Sequence, residues 1–233
     1  MIRLAVPGMI MIEAEYLAFE ILTLASSRFG PEALAAQSIL ATLASVTYQL
    51  PFSLSIASST RIANLIGANL VSAAITSSQA VCFFPSLLLH HSTAPGTVLL
   101  TFFQAVALSV LLGLLNSTIL WTLRYVLVGL FTDDEEVARL ATGVMGILAI
   151  MQLSDAVSTG AHGLLRGIGQ QHIGGYANLV GHYVFSLPFG LGTAFGLGWG
   201  LQGLWIGVAS GVAGYVVSLS YVGSVFFSSF FHC

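Results

Sequence analysis

An all-α fold, a polytopic membrane bundle of about six transmembrane helices, follows from three features of the sequence. Hydrophobic residues make up 56% of the 233-residue chain and charged residues only 6%, against roughly 25% charged in soluble domains. The basic residues are six arginines with no lysine, none of them between Arg61 and Arg124 and none after Arg166. The apolar residues fall into runs of about 20 or more, the length that crosses a hydrocarbon core. Such a chain, with a mean hydropathy of +0.93, cannot cover a water-facing surface. The composition excludes a soluble enzyme and a disordered tail, and there is no basic patch for nucleic acid. In lipid every backbone polar group needs an internal partner, which leaves helices.

The elements follow in order. The first span runs from about 4 to 27. It does not read as a cleavable signal, because it lacks a small-residue cleavage site and carries three glutamates. Arg28-Phe29-Gly30-Pro31-Glu32 ends it, with Gly and Pro as the turn signal. The second span covers about 33–57 and contains Pro51, which is expected to kink it. Ser58 to Asn69, with Arg61, Asn64 and Gly67, reads as a helix end leaving the membrane. Residues 71–79 are small and polar, residues 80–89 are apolar, and His90-His91-Ser92-Thr93-Ala94-Pro95-Gly96 is a break. The third span is placed at about 98–120. The strongest boundary is Thr132-Asp133-Asp134-Glu135-Glu136, with Thr132 as N-cap and the acids suited to a helix N-terminus. The fourth span covers about 137–165, the fifth about 174–195 with Pro188 inside, and the sixth about 201–222. Together they make residues 1–222 a single domain.

Small residues recur at four-residue spacing in two stripes, Gly203/Gly207/Gly211 and Gly192/Gly196/Gly200. Such spacing lets helix backbones approach closely in lipid; it is not a nucleotide loop, since no strand–turn–helix context surrounds it. Cys82 and Cys233 form no CxxC pair or metal spacing and read as inert thiols. With six spans, Arg3, Arg61 and Arg166 fall on one side and Arg28, Arg124 and Arg139 on the other. The positive-inside rule therefore does not choose an orientation.

The informative residues are acids inside apolar runs. A charged side chain at the bilayer centre costs about 2.5–3.5 kcal/mol on insertion scales. The first span carries Glu13, Glu15 and Glu20, with Glu15 near the midplane, and the fourth carries Asp155. No basic residue neighbours them in their own helices. The default reading is a group that takes and loses a proton or ligates Na⁺; the alternative is a permanently protonated structural hydrogen bond. Glu13 and Glu20 share one helix face, whereas Glu15 and Glu20 differ by about 140°. One straight helix does not aim all three into one cavity. Supporting polar residues are Tyr48 and Gln49 beside Pro51, Gln152, Ser154, Ser158 and Thr159 around Asp155, and Asn178, His182 and Tyr183 on the fifth span. Each has the alternative of a helix–helix contact. His162 and His172 are groups that titrate near neutral pH, and the His90–His91 pair has poor metal spacing.

Several motifs together resemble one family. Residues 13–20, Glu-Ala-Glu-Tyr-Leu-Ala-Phe-Glu, resemble the acidic first-helix motif in the C-terminal lobe of eukaryotic multidrug and toxic compound extrusion (MATE) transporters. Residues 51–68, from Pro51 to Arg61, Asn64 and Gly67-Ala68, are similar to that lobe's second-helix signature. Leu130-Phe131-Thr132-Asp133 resembles the loop before its fourth helix. Gln152-Leu153-Ser154-Asp155, then Gly163 through Arg166 to Gln171, resembles the next signature. Tyr176-Ala177-Asn178, His182-Tyr183 and Leu187-Pro188 fit the fifth helix, and Gly203-Leu204-Trp205-Ile206-Gly207 the sixth.

The resemblance, to a fungal-like eukaryotic member, implies an antiporter and not an enzyme. It exports organic cations or other xenobiotics against H⁺ or Na⁺, with no cofactor beyond that ion and no nucleic acid. Acids at Glu15, Glu20 and Asp155 are implicated in cation coupling and substrate binding. Glu13 does not match an acidic motif position, and His182 stands where the family commonly has an aromatic residue. Family topology puts Arg3, Arg61 and Arg166 on the cytoplasmic side of a plasma or vacuolar membrane. The family has about twelve spans in two lobes around a midplane site, and this chain matches the second lobe. Residues 80–104 and the tail 223–233 depart from the family and read as translated intron sequence. The alternatives are a truncated non-transporting fragment, or a half-transporter active with a second six-helix lobe or a second copy. A channel is disfavoured, since no filter-like carbonyl sequence appears.

Overall fold

The computed structural model describes residues 2–67 and 94–214, and all regular structure among them is helical. Helix α1 (Ile2–Ser26) leads through a 3₁₀ turn (Ser27–Phe29) into α2 (Pro31–Gly67). Helix α3 (Ala94–Thr122) is followed by a short α4 (Arg124–Gly129) and the long α5 (Glu135–Gly167). One continuous rod then joins α6 (Gln171–Leu179), a π-helical stretch (Val180–Ser186), α7 (Leu187–Leu191) and a π turn (Gly192–Gly196). Helix α8 covers 200–214. Residues 71–79, Cys82, His90 and His91, most of the segment 80–104 expected to be an insertion, the last part of the expected sixth span and the tail 223–233 lie outside the described residues.

Among the described residues, three stretches are long and apolar enough to cross a membrane by length and composition: Pro31–Asn64, Gln104–Thr122 and Glu135–Gly167. Helix α5 lies against both α2 and α3, while α1, with its three glutamates, lies against α6. The core joins Ala18 and Leu22 of α1, Leu40 and Leu43 of α2, Met145 and Leu148 of α5, and Leu204 and Trp205 of α8. Trp205 is fully buried; its indole N–H donates to Gln37 Oε1 at 2.8 Å and its ring meets Phe19 edge-on.

Helix α2 runs through Pro51 without ending and continues to Gly67. Proline has no N–H, so the carbonyl four residues back loses its helical partner. That carbonyl belongs to Thr47, and Asn116 Nδ2 of α3 donates to it at 2.8 Å. The polar group that the proline strands inside the bundle is thus satisfied from a neighbouring helix, as buried polar groups in lipid require.

The two glycine stripes separate in the structure. A Cβ on Gly203 would lie 2.7 Å from the Ala194 backbone, one on Gly207 would overlap the Gly190 backbone, and one on Gly211 would overlap Ser186. This stripe seats α8 on the rod that precedes it. Gly192, Gly196 and Gly200 have open space where a Cβ would stand, so the second stripe is not a packing seam. Tight contacts of α5 include Gly160 on Ser109, Gly163 on Ser55, Gly167 on Ile62 and Gly146 on Trp121.

The N-cap of α5 is Asp134, two residues beyond the expected Thr132. The Asp134 backbone is extended (ψ 120°), and its carboxylate accepts from the N–H groups of Glu136 and Val137 at 2.9 and 3.1 Å. Thr132 Oγ1 accepts from the Asp134 N–H at 3.1 Å, so threonine braces the cap instead of forming it. At the other end of α5 the chain reverses at Gly169, where φ is +77°, a value that favours glycine.

Candidate functional site

A cavity of about 140 Å³ lies between α1, α2 and α5. Helix α1 contributes Glu15, Tyr16 and Glu20, α2 contributes Ser45 and Tyr48, and α5 contributes Gln152 and Asp155. The structure thus brings the three leading acids to one place. Asp155 is buried, Glu15 half-buried and Glu20 exposed. The Glu15 and Asp155 carboxyl groups interact electrostatically, and among the described residues no basic side chain lines the cavity. Glu13 is exposed and does not line it. The wall therefore uses two of the three glutamates of α1, and they are Glu15 and Glu20, about 140° apart around the helix, not Glu13 and Glu20, which share a face.

The supporting residues separate by helix face. Gln49 is exposed and does not line the cavity, whereas its neighbour Tyr48 does and stacks on Phe52 with centroids 5.4 Å apart. Gln49 lies about 100° further round α2 than Tyr48, outside the arc that the cavity covers. Asn178 and Tyr183 do not line it either. They lie on the rod that packs against α1: Asn178 is buried and its carbonyl oxygen lies 3.1 Å from His182 Nδ1, and Tyr183 packs on the core.

Gln152 has a defined orientation. Its Nε2 donates to Thr47 Oγ1 at 2.7 Å and approaches the Ala44 carbonyl at 3.4 Å. The Thr47 hydroxyl gives its own proton to Leu43 O at 2.8 Å. Both neighbours are therefore acceptors, and the amide must turn its NH₂ group to α2. The carbonyl Oε1 is left buried and, among the described residues, without a hydrogen-bond partner, on a residue that lines the cavity one turn before Asp155.

Some residues of the site's surroundings had no signal in the sequence. Asn116 and Thr47 meet only because α2 and α3 pack together at the proline. Arg166, which the sequence places in a loop, is in the last turn of α5 and half-buried. Its Nη2 donates to Ser55 Oγ at 2.5 Å and its guanidinium stands over the Phe52 ring at 5.5 Å. This ties the far end of α5 to α2 below the cavity. Among the described residues no group of three or more His, Cys, Asp and Glu side chains is placed to hold a metal ion.

The model of the MatE family matches residues 7–89 and 95–191 of this chain. The chain belongs to the MatE family. An uncharacterized transporter of Schizosaccharomyces pombe is 37% identical over 210 residues, which are 90% of this chain and 34% of that protein. Multidrug and toxin extrusion protein 1 of Homo sapiens is 33% identical over 207 residues, 89% of this chain and 32% of that protein. The crystal structure of the eukaryotic MATE transporter AtDTX14 superposes with a TM-score of 0.77 at 27% identity, covering 94% of this chain and 44% of that one. An outward-facing multidrug resistance MATE transporter shares the fold, with a TM-score of 0.74 at 18% identity. The chain spans about a third of the length of these curated relatives. It is an integral membrane protein of a transporter family, fungal proteins are among its relatives, and the relatives' names are those of transporters rather than enzymes.

Proposed function

We propose that this chain is the C-terminal lobe, residues 1–222, of an antiporter that exports organic cations or other xenobiotics in exchange for H⁺ or Na⁺. The observation that carries the reading is the convergence of Glu15, Glu20 and Asp155 on one cavity without a basic partner on its walls. Carboxylates held in that way need a cation. A bound organic cation and a coupling proton or Na⁺ compete for the same oxygens, and this competition is the exchange. Neutralising the acids with the ion lowers the affinity for the drug, and loss of the ion restores it. Tyr48 and Gln152 supply hydrogen-bonding groups beside the acids.

Glu20 is exposed on the cavity wall, and Tyr16 and Leu17 beside it are exposed as well. This favours a further wall, from a second six-helix lobe or a second copy, over a self-sufficient half. The membrane is a plasma or vacuolar one.

The test is efflux of tetraphenylphosphonium from proteoliposomes holding the full-length protein, driven in turn by a pH gradient and a Na⁺ gradient. Glu20→Gln and Asp155→Asn each abolish exchange while the protein still expresses and inserts. Unchanged transport in both variants rejects the assignment. Efflux by one gradient alone identifies the coupling ion.

A further inference from the structure

A second recess, of about 450 Å³, opens where the end of α3 and the short α4 meet the first turns of α5. It lies apart from the acidic cavity and shares no residue with it. Its rim is Trp121, Arg124 and Tyr125 on one side and Arg139 and Thr142 on the other. The Arg124 guanidinium stands 5.5 Å from the Trp121 ring centroid and 4.7 Å from that of Tyr125, and Nη2 donates to the Tyr125 hydroxyl at 3.0 Å. Aromatic faces and a phenol hold this cation, and they leave most of its five N–H donors directed elsewhere. Arg139, by contrast, is paired with Glu136 through a Nε–Oε2 bond of 2.9 Å and a second bond beside it.

The floor is glycine. Gly143 and Gly146 line the recess, and a Cβ on Gly146 would lie 2.9 Å from the Trp121 ring. Small residues here let the indole lie against α5 and keep the recess open. The lining then changes character along α5. Arg139 and Thr142 are near the charged start of the helix, and Ile147 and Ile150 are further in. From Arg139 to Ile150 the helix rises about 16 Å, close to half of a roughly 30 Å hydrocarbon core. Trp and Tyr belong at the headgroup level of a membrane. The recess is thus cationic and aromatic at the interface and apolar at depth.

We propose that this recess is a phospholipid site. The lipid phosphate sits on Arg124 between Trp121 and Tyr125, and an acyl chain runs down Ile147 and Ile150. The planar guanidinium, already oriented by two rings, offers paired donors to phosphate oxygens. The ligand's two halves match the two halves of the lining.

The test is native mass spectrometry of the delipidated, detergent-purified full-length protein titrated with dioleoyl phosphatidylglycerol. Two controls divide the ligand: dioleoylglycerol has the tails without the phosphate, and glycerol 3-phosphate the phosphate without the tails. The expected result is one retained phospholipid, bound at least tenfold more tightly than either control. Arg124→Gln weakens it at least tenfold, and Arg28→Gln, at the turn after α1, leaves it unchanged. Equal retention of dioleoylglycerol, equal binding of glycerol 3-phosphate, or an unchanged affinity in Arg124→Gln overturns the proposal. A measurement on the unaltered recess stands beside the variant. In a background in which every tryptophan of the full-length protein other than Trp121 and the fully buried Trp205 is replaced by phenylalanine, phosphatidylglycerol brominated on its acyl chains quenches Trp121 with saturation at one lipid per protein. Quenching that fails to saturate, or no quenching, also overturns it.

Discussion

Asn116→Ala isolates the hydrogen bond that closes the gap left by Pro51. Asn116 is buried, and its Nδ2 lies 2.8 Å from the Thr47 carbonyl. Truncation leaves that carbonyl with no donor inside the bundle, and an unsatisfied buried acceptor costs about 1–3 kcal/mol. It also removes packing, so the single variant does not separate the two effects. Pro51→Ala provides the separation. It restores an N–H at position 51, which the helix directs at Thr47 O. In that background Asn116→Ala loses the packing but no longer strands the carbonyl. The cost of Asn116→Ala is therefore about 1–2 kcal/mol smaller in the Pro51→Ala background than with the proline in place, and the packing loss cancels between the two arms of the cycle. The assay is unfolding of the four variants by SDS in mixed micelles, followed by far-UV circular dichroism. Costs of Asn116→Ala that agree within about 0.5 kcal/mol in the two backgrounds would refute the reasoning.

Two further expectations test the packing and the cap. Gly207→Ala destabilises, because its Cβ meets Gly190 backbone that cannot swing aside, whereas Gly196→Ala, with open space at its Cβ, is near neutral or slightly stabilising; thermal melts in detergent compare the two, at about 1–3 kcal/mol for an overpacked site. Asp134→Ala costs about 1 kcal/mol through the loss of two N–H acceptor contacts at the start of α5, and Thr132→Ala costs less, since it accepts only from the Asp134 N–H. Equal losses at the two positions in chemical denaturation would return the cap to Thr132.

The membrane bundle was legible in the sequence because it depends on composition. A chain with 6% charged residues has one solvent in which it can fold. The acids stood out for a related reason: an ionisable group in an apolar run carries a cost that does not depend on its neighbours. The breaks at Arg28–Glu32 and Thr132–Glu136 were visible because turns and caps are made by residues close in sequence. Even there the last step was local geometry. Thr132 and Asp134 are both good caps, and the extended backbone at Asp134 selects the aspartate.

What the sequence by itself determined was thus the class of the chain, the positions of its costly charges and the resemblance that placed it in a family. The tertiary structure alone decided which polar groups meet. It put Glu15, Glu20 and Asp155 on one cavity and left Glu13 outside. It chose Tyr48 over Gln49, and it turned the Gln152 amide toward α2. It joined Asn116 to a carbonyl 69 residues away and selected one glycine stripe of two as a seam. The physical reason is common to all of these. Helical spacing fixes which residues share a face, but the partner of a face is set by how α1, α2, α3 and α5 pack, and packing in lipid is a sum of long-range contacts between surfaces of similar composition.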